Sequence, residues 1–169
     1  MLLYFCGWQQ PVHMNIRRGN ISDIDTLKTL YAGTIQNICC ADYNEQQISV
    51  WSANEKDDSR WNKVAREQTV IVAEDGNEIT GFCTLTNRGY IDLFFVHMDH
   101  QGKGIARVLY RELEKSAAEQ GILSLTADVS KTARPFFESM GFDLIAEQEV
   151  SLKDVALVNY RMGKVLALK

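Results

Sequence analysis

The chain has 169 residues, enough for one domain with a buried core. Its 46% hydrophobic and 24% charged residues are those of an ordinary globular protein. Its 18 basic and 22 acidic residues give a formal net charge of −4, which argues against a general nucleic-acid binder and weakly against a polyanionic acceptor.

Residues 1 to 13 read as an accessory extension. The apolar run from Met1 to Trp8 is too short to span a bilayer and lacks the basic residues of a signal peptide. Met14 is an alternative start. No later segment is long and apolar enough to cross a membrane.

Asn15 to Arg18 alternates as the end of a first strand. Ser22, with Asp25 three residues on, predicts a capping box. Ile24, Leu27, Tyr31, Ile35 and Ile38 then recur at helical spacing. Asn44 caps a second helix carrying Ile48 and Trp51, and a third starts at Asp57 or Asp58 and carries Trp61 and Val64. Three strands follow, Thr69 to Glu74, Ile79 to Thr86 and Tyr90 to Val96. The turns Asp75-Gly76-Asn77 and Asn87-Arg88-Gly89 make them antiparallel. A long helix runs from about Gly102 and ends at Gly121. Leu123 to Ala127 is a strand parallel to Tyr90–Val96, because a helix separates the two. A short helix to Met140 holds Pro135 in its first turn, which favours Thr132 over Ser130 as its N-cap. Gly141 takes the left-handed position after that helix, and strands Phe142 to Val150 and Val155 to Met162 close the chain. The order is β, three helices, βββ, α, β, α, ββ, in a single domain over residues 14 to 169.

The cysteines, Cys6, Cys39, Cys40 and Cys83, show neither metal-ligand nor disulfide spacing, so reduced thiols in a cytoplasmic protein are expected. The histidines His13, His97 and His100 are scattered, and no metal site is expected.

Gln101-Gly102-Lys103-Gly104-Ile105-Ala106 is the most informative stretch. A glycine-rich turn opening a helix leaves backbone N–H groups unpaired at the positive end of the helix dipole, a site for phosphate oxygens. Gly102 and Gly104 carry no side chain, so a diphosphate can lie against the backbone, and Lys103 and Arg107 add two cations. A P-loop needs Gly-x-x-x-x-Gly-Lys-Ser/Thr, which is absent. A dinucleotide fingerprint needs a third small residue where Arg107 stands.

The pattern that fits is Gln/Arg-x-x-Gly-x-Gly/Ala, met at Gln101, Gly104 and Ala106. About thirty residues on, Ala133-Arg134-Pro135-Phe136-Phe137-Glu138-Ser139-Met140-Gly141-Phe142 matches Ala-x-x-Phe-Tyr-Glu-x-x-Gly-Phe. With both motifs, in order and at this separation, the sequence resembles the GNAT superfamily of acetyl-CoA-dependent N-acetyltransferases over about Asn15 to Val165.

The resemblance implies an α/β, layered α+β fold with a mixed, strongly twisted sheet of about seven strands and helices on both faces. It implies parallel strands that splay at their C-terminal ends and admit the pantetheine arm of acetyl-CoA beside Phe95 and Val96. The pyrophosphate would lie on Gln101, Gly102, Lys103, Gly104, Ile105, Ala106 and Arg107. Ser130 stands where an asparagine often contacts the cofactor. Phe137 stands where a tyrosine often protonates the leaving thiolate, and phenylalanine cannot do so. Tyr90, Tyr160 or Tyr43 can supply the acid instead, the thiolate can leave unassisted, or the protein is a CoA-binding sensor with little turnover.

Direct attack on a thioester needs a neutral amine, so a base is required. Asp92 is the first candidate. It is a lone carboxylate in the apolar strand Tyr90 to Val96, costly to bury unpaired, and Tyr90 shares its face for a water relay. The same Asp92 can instead be satisfied by a neighbouring cation and only shape the site; Asp128 is the second candidate. The early helices wall the acceptor pocket in this family, which here means Tyr43, Asn44, Gln47 and Trp51, with Trp61 a further candidate. A small-molecule amine and a peptide amine both remain open as acceptors, as do a monomer and a homodimer. Phe94, Phe95, Phe136 and Phe137 favour a small acyl group over a longer one.

Overall fold

The computed structural model describes residues 14–166. The accessory extension, Cys6 and His13 lie outside the described residues. The strands are β1 (Met14–Arg18), β2 (Thr69–Asp75), β3 (Glu78–Leu85), β4 (Tyr90–Val96), β5 (Ser124–Ser130), β6 (Asp143–Leu152) and β7 (Val155–Val165). The α-helices are α1 (Ile24–Asn37), α2 (Glu45–Ser52), α3 (Asp58–Glu67), α4 (Ile105–Glu119) and α5 (Arg134–Ser139). One mixed seven-stranded sheet has the order β1-β2-β3-β4-β5-β7-β6. Its single parallel pair is β4 with β5.

Strand alternation sends successive apolar residues of β2 to opposite faces. Ile71 and Ala73 join a core with Leu109, Leu113 and Ala117 of α4. Val70 and Val72 join a second core with Leu27, Tyr31 and Ile35 of α1 and with Trp61 and Val64 of α3. Trp61 is 1% exposed, and its indole N–H donates to the Asn54 carbonyl at 3.1 Å, which removes the cost of burying it. Among the described residues no helix is long and apolar enough to cross a membrane.

Three helix starts differ from the sequence reading, two because another side chain reaches the free N–H groups and one because the backbone turns at a left-handed glycine. Asn20 and Asp23, not Ser22 and Asp25, form the first capping box, at the head of a short 3-10 turn that leads into α1. Helix α4 begins at Ile105, with left-handed Gly104 (φ 81°) as its N-cap. At α5, Ser130 Oγ accepts the Ala133 N–H at 3.1 Å, while the Thr132 hydroxyl turns away to donate to Asp42. Asn44 caps α2, Asp57 caps α3, and Gly141 takes φ 83°, all as expected.

Strand β4 carries a bulge that the sequence does not signal. Cys83 pairs with Phe94, and two residues further along β3 Leu85 pairs with Ile91, so β4 spends one extra residue there. The Leu93 N–H is satisfied by the Thr84 hydroxyl at 3.1 Å. As a result Ile91 and Phe94 pack on the α4 side while Leu93 and Phe95 pack on the α1 side.

A candidate active site between parting strands

Strands β4 and β5 pair only at Tyr90–Thr126 and Ile91–Ala127. Beyond that point they part, as the resemblance implied. A cavity of about 650 Å³ fills the gap. Gln101, Ala106, Phe94, Phe136 and Phe137 line it on the α4 and α5 side, and Tyr31, Tyr43, Trp51, Arg60, Asp92 and Asp128 line it on the α1 side. One space therefore passes through the sheet and reaches both layers of helices.

At the first mouth, Gly102 and Gly104 both have positive φ (73° and 81°), and a Cβ added at either would meet nothing within 4 Å. The turn therefore needs glycine for its backbone, and it leaves open room beside its N–H groups. The N–H groups of Gly102 to Ala106 find no backbone acceptor among the described residues; the first helical bonds are Arg107 and Val108 to the Gly104 carbonyl, at 3.1 and 3.3 Å. Lys103 and Arg107 are exposed beside them, and Ile105, the first residue of α4, is buried. Such a cradle fits a diphosphate. The Gln101 side chain faces inward, donating to the carbonyls of Val96 at 2.7 Å and His97 at 3.3 Å, and so holds the turn onto the end of β4. The Val96 carbonyl also accepts from Thr34 Oγ1 at 3.0 Å. Phe95 and Val96 both line the cavity, on the stretch of β4 that lacks a β5 partner.

Deeper in, Phe137 is 3% exposed and makes edge-on contacts with Phe94 and Phe142, at ring separations of 5.7 and 5.1 Å. This end of the cavity is apolar. Ser130 also lines it, with its oxygen already engaged by the Ala133 N–H.

Asp92 projects to the other side. Its carboxylate accepts from Arg60 at 3.1 and 3.3 Å and from Gln68 Nε2 at 2.9 Å, and its side chain is 14% exposed. The sequence left open whether Asp92 is an unpaired base or is satisfied by a neighbouring cation; the cation is present, Arg60 of α3, joined by Gln68, the residue before β2. Tyr90 donates its hydroxyl to Asp128 at 3.2 Å. Burial first, then the Asp128 charge, pushes the Tyr90 phenol up to about 12. Burial alone would raise the Asp128 carboxyl; the hydrogen bonds from Arg161 and Gln148 outweigh it and hold that group below the usual carboxylate range. Asp128 and Arg161 are directly opposed across β5 and β7.

Among the other tyrosines, Tyr43 lines the cavity but is committed, donating to the Val158 carbonyl and accepting from the Lys131 N–H, both at 2.9 Å. Tyr160 sits outside the lining, under the Arg134 guanidinium. The Trp51 ring meets Tyr43 edge-on at 5.3 Å and lines the acceptor side. Asn44 does not line the cavity: it is exposed, and its side chain caps α2 by accepting the Gln47 N–H at 2.9 Å. Sequence reasoning missed Arg60, Gln68, Tyr31 and Arg161. They come from separate elements, and only the strand register and helix packing bring them to the site.

Strands parting around a through-going cavity, with an open glycine turn at one mouth, define the GNAT architecture. Residues 39–164 match the acetyltransferase (GNAT) domain family. The chain is 31% identical over 150 residues to YafP of Escherichia coli (strain K12), an uncharacterized N-acetyltransferase; the match covers 89% of this chain and 95% of that protein. A GCN5-related N-acetyltransferase from Rhodopseudomonas palustris superposes with a TM-score of 0.86 at 28% identity, over 90% of this chain and 95% of that one. The PaiA N-acetyltransferase from Thermoplasma acidophilum, solved in complex with coenzyme A, shares the fold (TM-score 0.74, 19% identity, 90% of this chain and 99% of that one). The chain belongs to the GNAT family of N-acetyltransferases.

Proposed function

We propose that the protein transfers the acetyl group of acetyl-CoA to a primary amine by direct attack. The observation that carries this reading is the single cavity through the gap between β4 and β5, open to both helical layers. It lets donor and acceptor approach from opposite sides with no covalent enzyme intermediate.

The residues present fit the donor. The N–H groups of Gly102 to Ala106, the open room at Gly102 and Gly104, and the cations Lys103 and Arg107 suit its diphosphate. The fold is shared with a protein solved with coenzyme A. When bound, acetyl-CoA supplies an activated thioester. The edge of β4 at Phe95 and Val96, which has no β5 partner, lies along the path of an extended amide chain, with the Val96 carbonyl already engaged by Thr34 and Gln101. Phe94, Phe136 and Phe137 keep water from the reacting carbon. Asp92 draws the proton from the amine, directly or through a water held with Tyr90. Tyr43 and Trp51 wall an acceptor that is a small molecule or a peptide amine, in a cytoplasmic monomer or homodimer.

A second reading, a CoA-binding sensor without turnover, is favoured by two observations. Phe137 offers no proton to the leaving thiolate, and Arg60 and Gln68 already hold Asp92. A panel of small and peptide amines, assayed by thiol release, separates the two. Turnover with any amine supports the enzyme. Acetyl-CoA binding without turnover across the panel supports the sensor, and no acetyl-CoA binding overturns both.

A further inference from the structure

We propose that Glu78, His97 and His100 form a binding site for a divalent transition metal of the zinc class, outside the acetyl-transfer cavity. One ligand atom from each of the three lies within 4.8 Å of the others. His97 directly follows β4, His100 closes the 3-10 turn that comes next, and Glu78 opens the neighbouring strand β3. The sequence hides this arrangement, because Glu78 is nineteen positions from the nearer histidine and only the β3–β4 pairing brings it back.

The two imidazoles are set by the backbone. The His97 N–H donates to the Thr80 carbonyl at 2.8 Å, and the His100 N–H donates to the His97 carbonyl at 2.9 Å. Their rings meet edge-on at 5.6 Å. Nε2 of His100 is 3.7 Å from Glu78 Oε1. Nδ1 of His97 accepts the Asp99 N–H at 3.2 Å, which occupies one of its two ring nitrogens. The histidine side chains are 24% and 14% exposed, and Glu78 is 60% exposed. The rings are thus held in place while the carboxylate is free to swing. A tetrahedral zinc site with bonds of about 2.0 Å places its donors roughly 3.3 Å apart, so closing the triad asks for shifts of up to about 1.5 Å.

Donor chemistry selects the metal. Two imidazole nitrogens and one carboxylate suit zinc and its neighbours, whereas calcium and magnesium want oxygen throughout. Asp99, whose Oδ2 is 3.9 Å from Nδ1 of His97, offers a second carboxylate to orient that ring or to complete the set. The adjoining groove adds an independent reason. It is lined by Asp23, Glu74, Asp75 and Glu78 against Arg17 as its one lysine or arginine among the described residues, a field that concentrates cations. A metal here would tie the start of β3 to residues 97–100, directly before the phosphate cradle.

The test is titration of the full-length protein with Zn²⁺ against a chromophoric chelator, repeated with Co²⁺ for its visible spectrum. The expected result is one equivalent bound with a dissociation constant on the order of 10 µM or tighter. It should weaken about tenfold or more in both Glu78→Gln and His100→Asn, and stay unchanged in His13→Asn. Glu78→Gln alters an exposed side chain, so its unchanged melting temperature without metal serves as the folding control. Zinc should then raise the melting temperature of the wild type and not of that variant. The proposal is overturned if no saturable binding is seen below about 100 µM. It is also overturned if both site variants bind as the wild type does, if His13→Asn abolishes binding, or if Co²⁺ gives the near-ultraviolet band of thiolate ligation.

Discussion

Arg60 on α3 and Asp92 on β4 are joined by two hydrogen bonds, at 3.1 and 3.3 Å, at the wall of the cavity. A carboxylate held this way is a steering group, a base or both. If Asp92 takes the amine proton, Asp92→Asn should lower turnover by roughly 10²–10⁴-fold with little change in acetyl-CoA affinity. Arg60→Leu, which leaves the carboxylate with Gln68 alone, should retain measurable turnover. Steady-state rates and calorimetry on both variants provide the check. Near-normal turnover in Asp92→Asn would move the role to Asp128 or to a water chain, and loss of folding would make the pair structural.

Gly104→Asp should abolish acetyl-CoA binding, because it places negative charge where the diphosphate is proposed to lie. The substitution also strains a left-handed position (φ 81°), so Gly104→Asn is the control. Asparagine tolerates that conformation and carries no charge. The asparagine variant should keep part of the affinity that aspartate loses. Equal affinities for all three proteins by calorimetry would remove the diphosphate from this turn.

Strand alternation, helical spacing and turn chemistry made the element order and the parallel pair readable before any coordinates. The turn at Gly102 and Gly104 was readable too, since its glycines answer a local backbone demand. The partners of Asp92 and Asp128 were not. Arg60 and Gln68 reach Asp92 from 32 and 24 positions away, and Arg161 faces Asp128 only through the β5–β7 register. The convergence of Glu78 with His97 and His100 was hidden for the same reason. Asn44 shows the opposite failure: one residue fitted two roles, and the helix cap took it.

The β4 bulge depends on a single hydroxyl. Thr84 is fully buried and satisfies the Leu93 N–H that the bulge removes from the ladder. Thr84→Val keeps the shape and orphans that N–H, which should cost about 1–3 kcal/mol. Urea denaturation measures this. Turnover should also fall, because the bulge sets the facing of Asp92 and Phe94 on either side of the sheet. A variant as stable as the wild type would show that the N–H finds another acceptor.

Tyr90 has its ionisation pushed up to about 12, chiefly by burial, and so do Tyr31 and Tyr43. A raised folded value means that the stability contributed by the neutral phenol is whole below the ordinary value of 10.0 and is lost as pH climbs towards 12. Stability should therefore decline through that window, less steeply in Tyr90→Phe. At neutral pH Tyr90 is a proton donor and not a phenolate base. If it serves the leaving thiolate, Tyr90→Phe should slow turnover without touching acetyl-CoA affinity. An unchanged rate would leave the thiolate to depart unaided.

Phe137 decides between those routes. It lines the apolar end of the cavity at the place where the family resemblance puts a tyrosine beside the sulfur. If the thiolate leaves unaided, Phe137→Tyr should hold the rate or raise it, because the hydroxyl adds a donor with little added volume. If Tyr90 already serves, Phe137→Tyr should do little while Tyr90→Phe slows the reaction. Both variants need assay with one acceptor at several pH values. Phe137 packs edge-on against Phe94, Phe136 and Phe142, so a hydroxyl turned into that cluster would be a buried, unpartnered polar group costing about 1–3 kcal/mol. A large rate loss in a correctly folded, normally melting Phe137→Tyr would show that the sulfur lies elsewhere. A lowered melting temperature with the rate retained would show that the hydroxyl points into the aromatic cluster and not into the cavity.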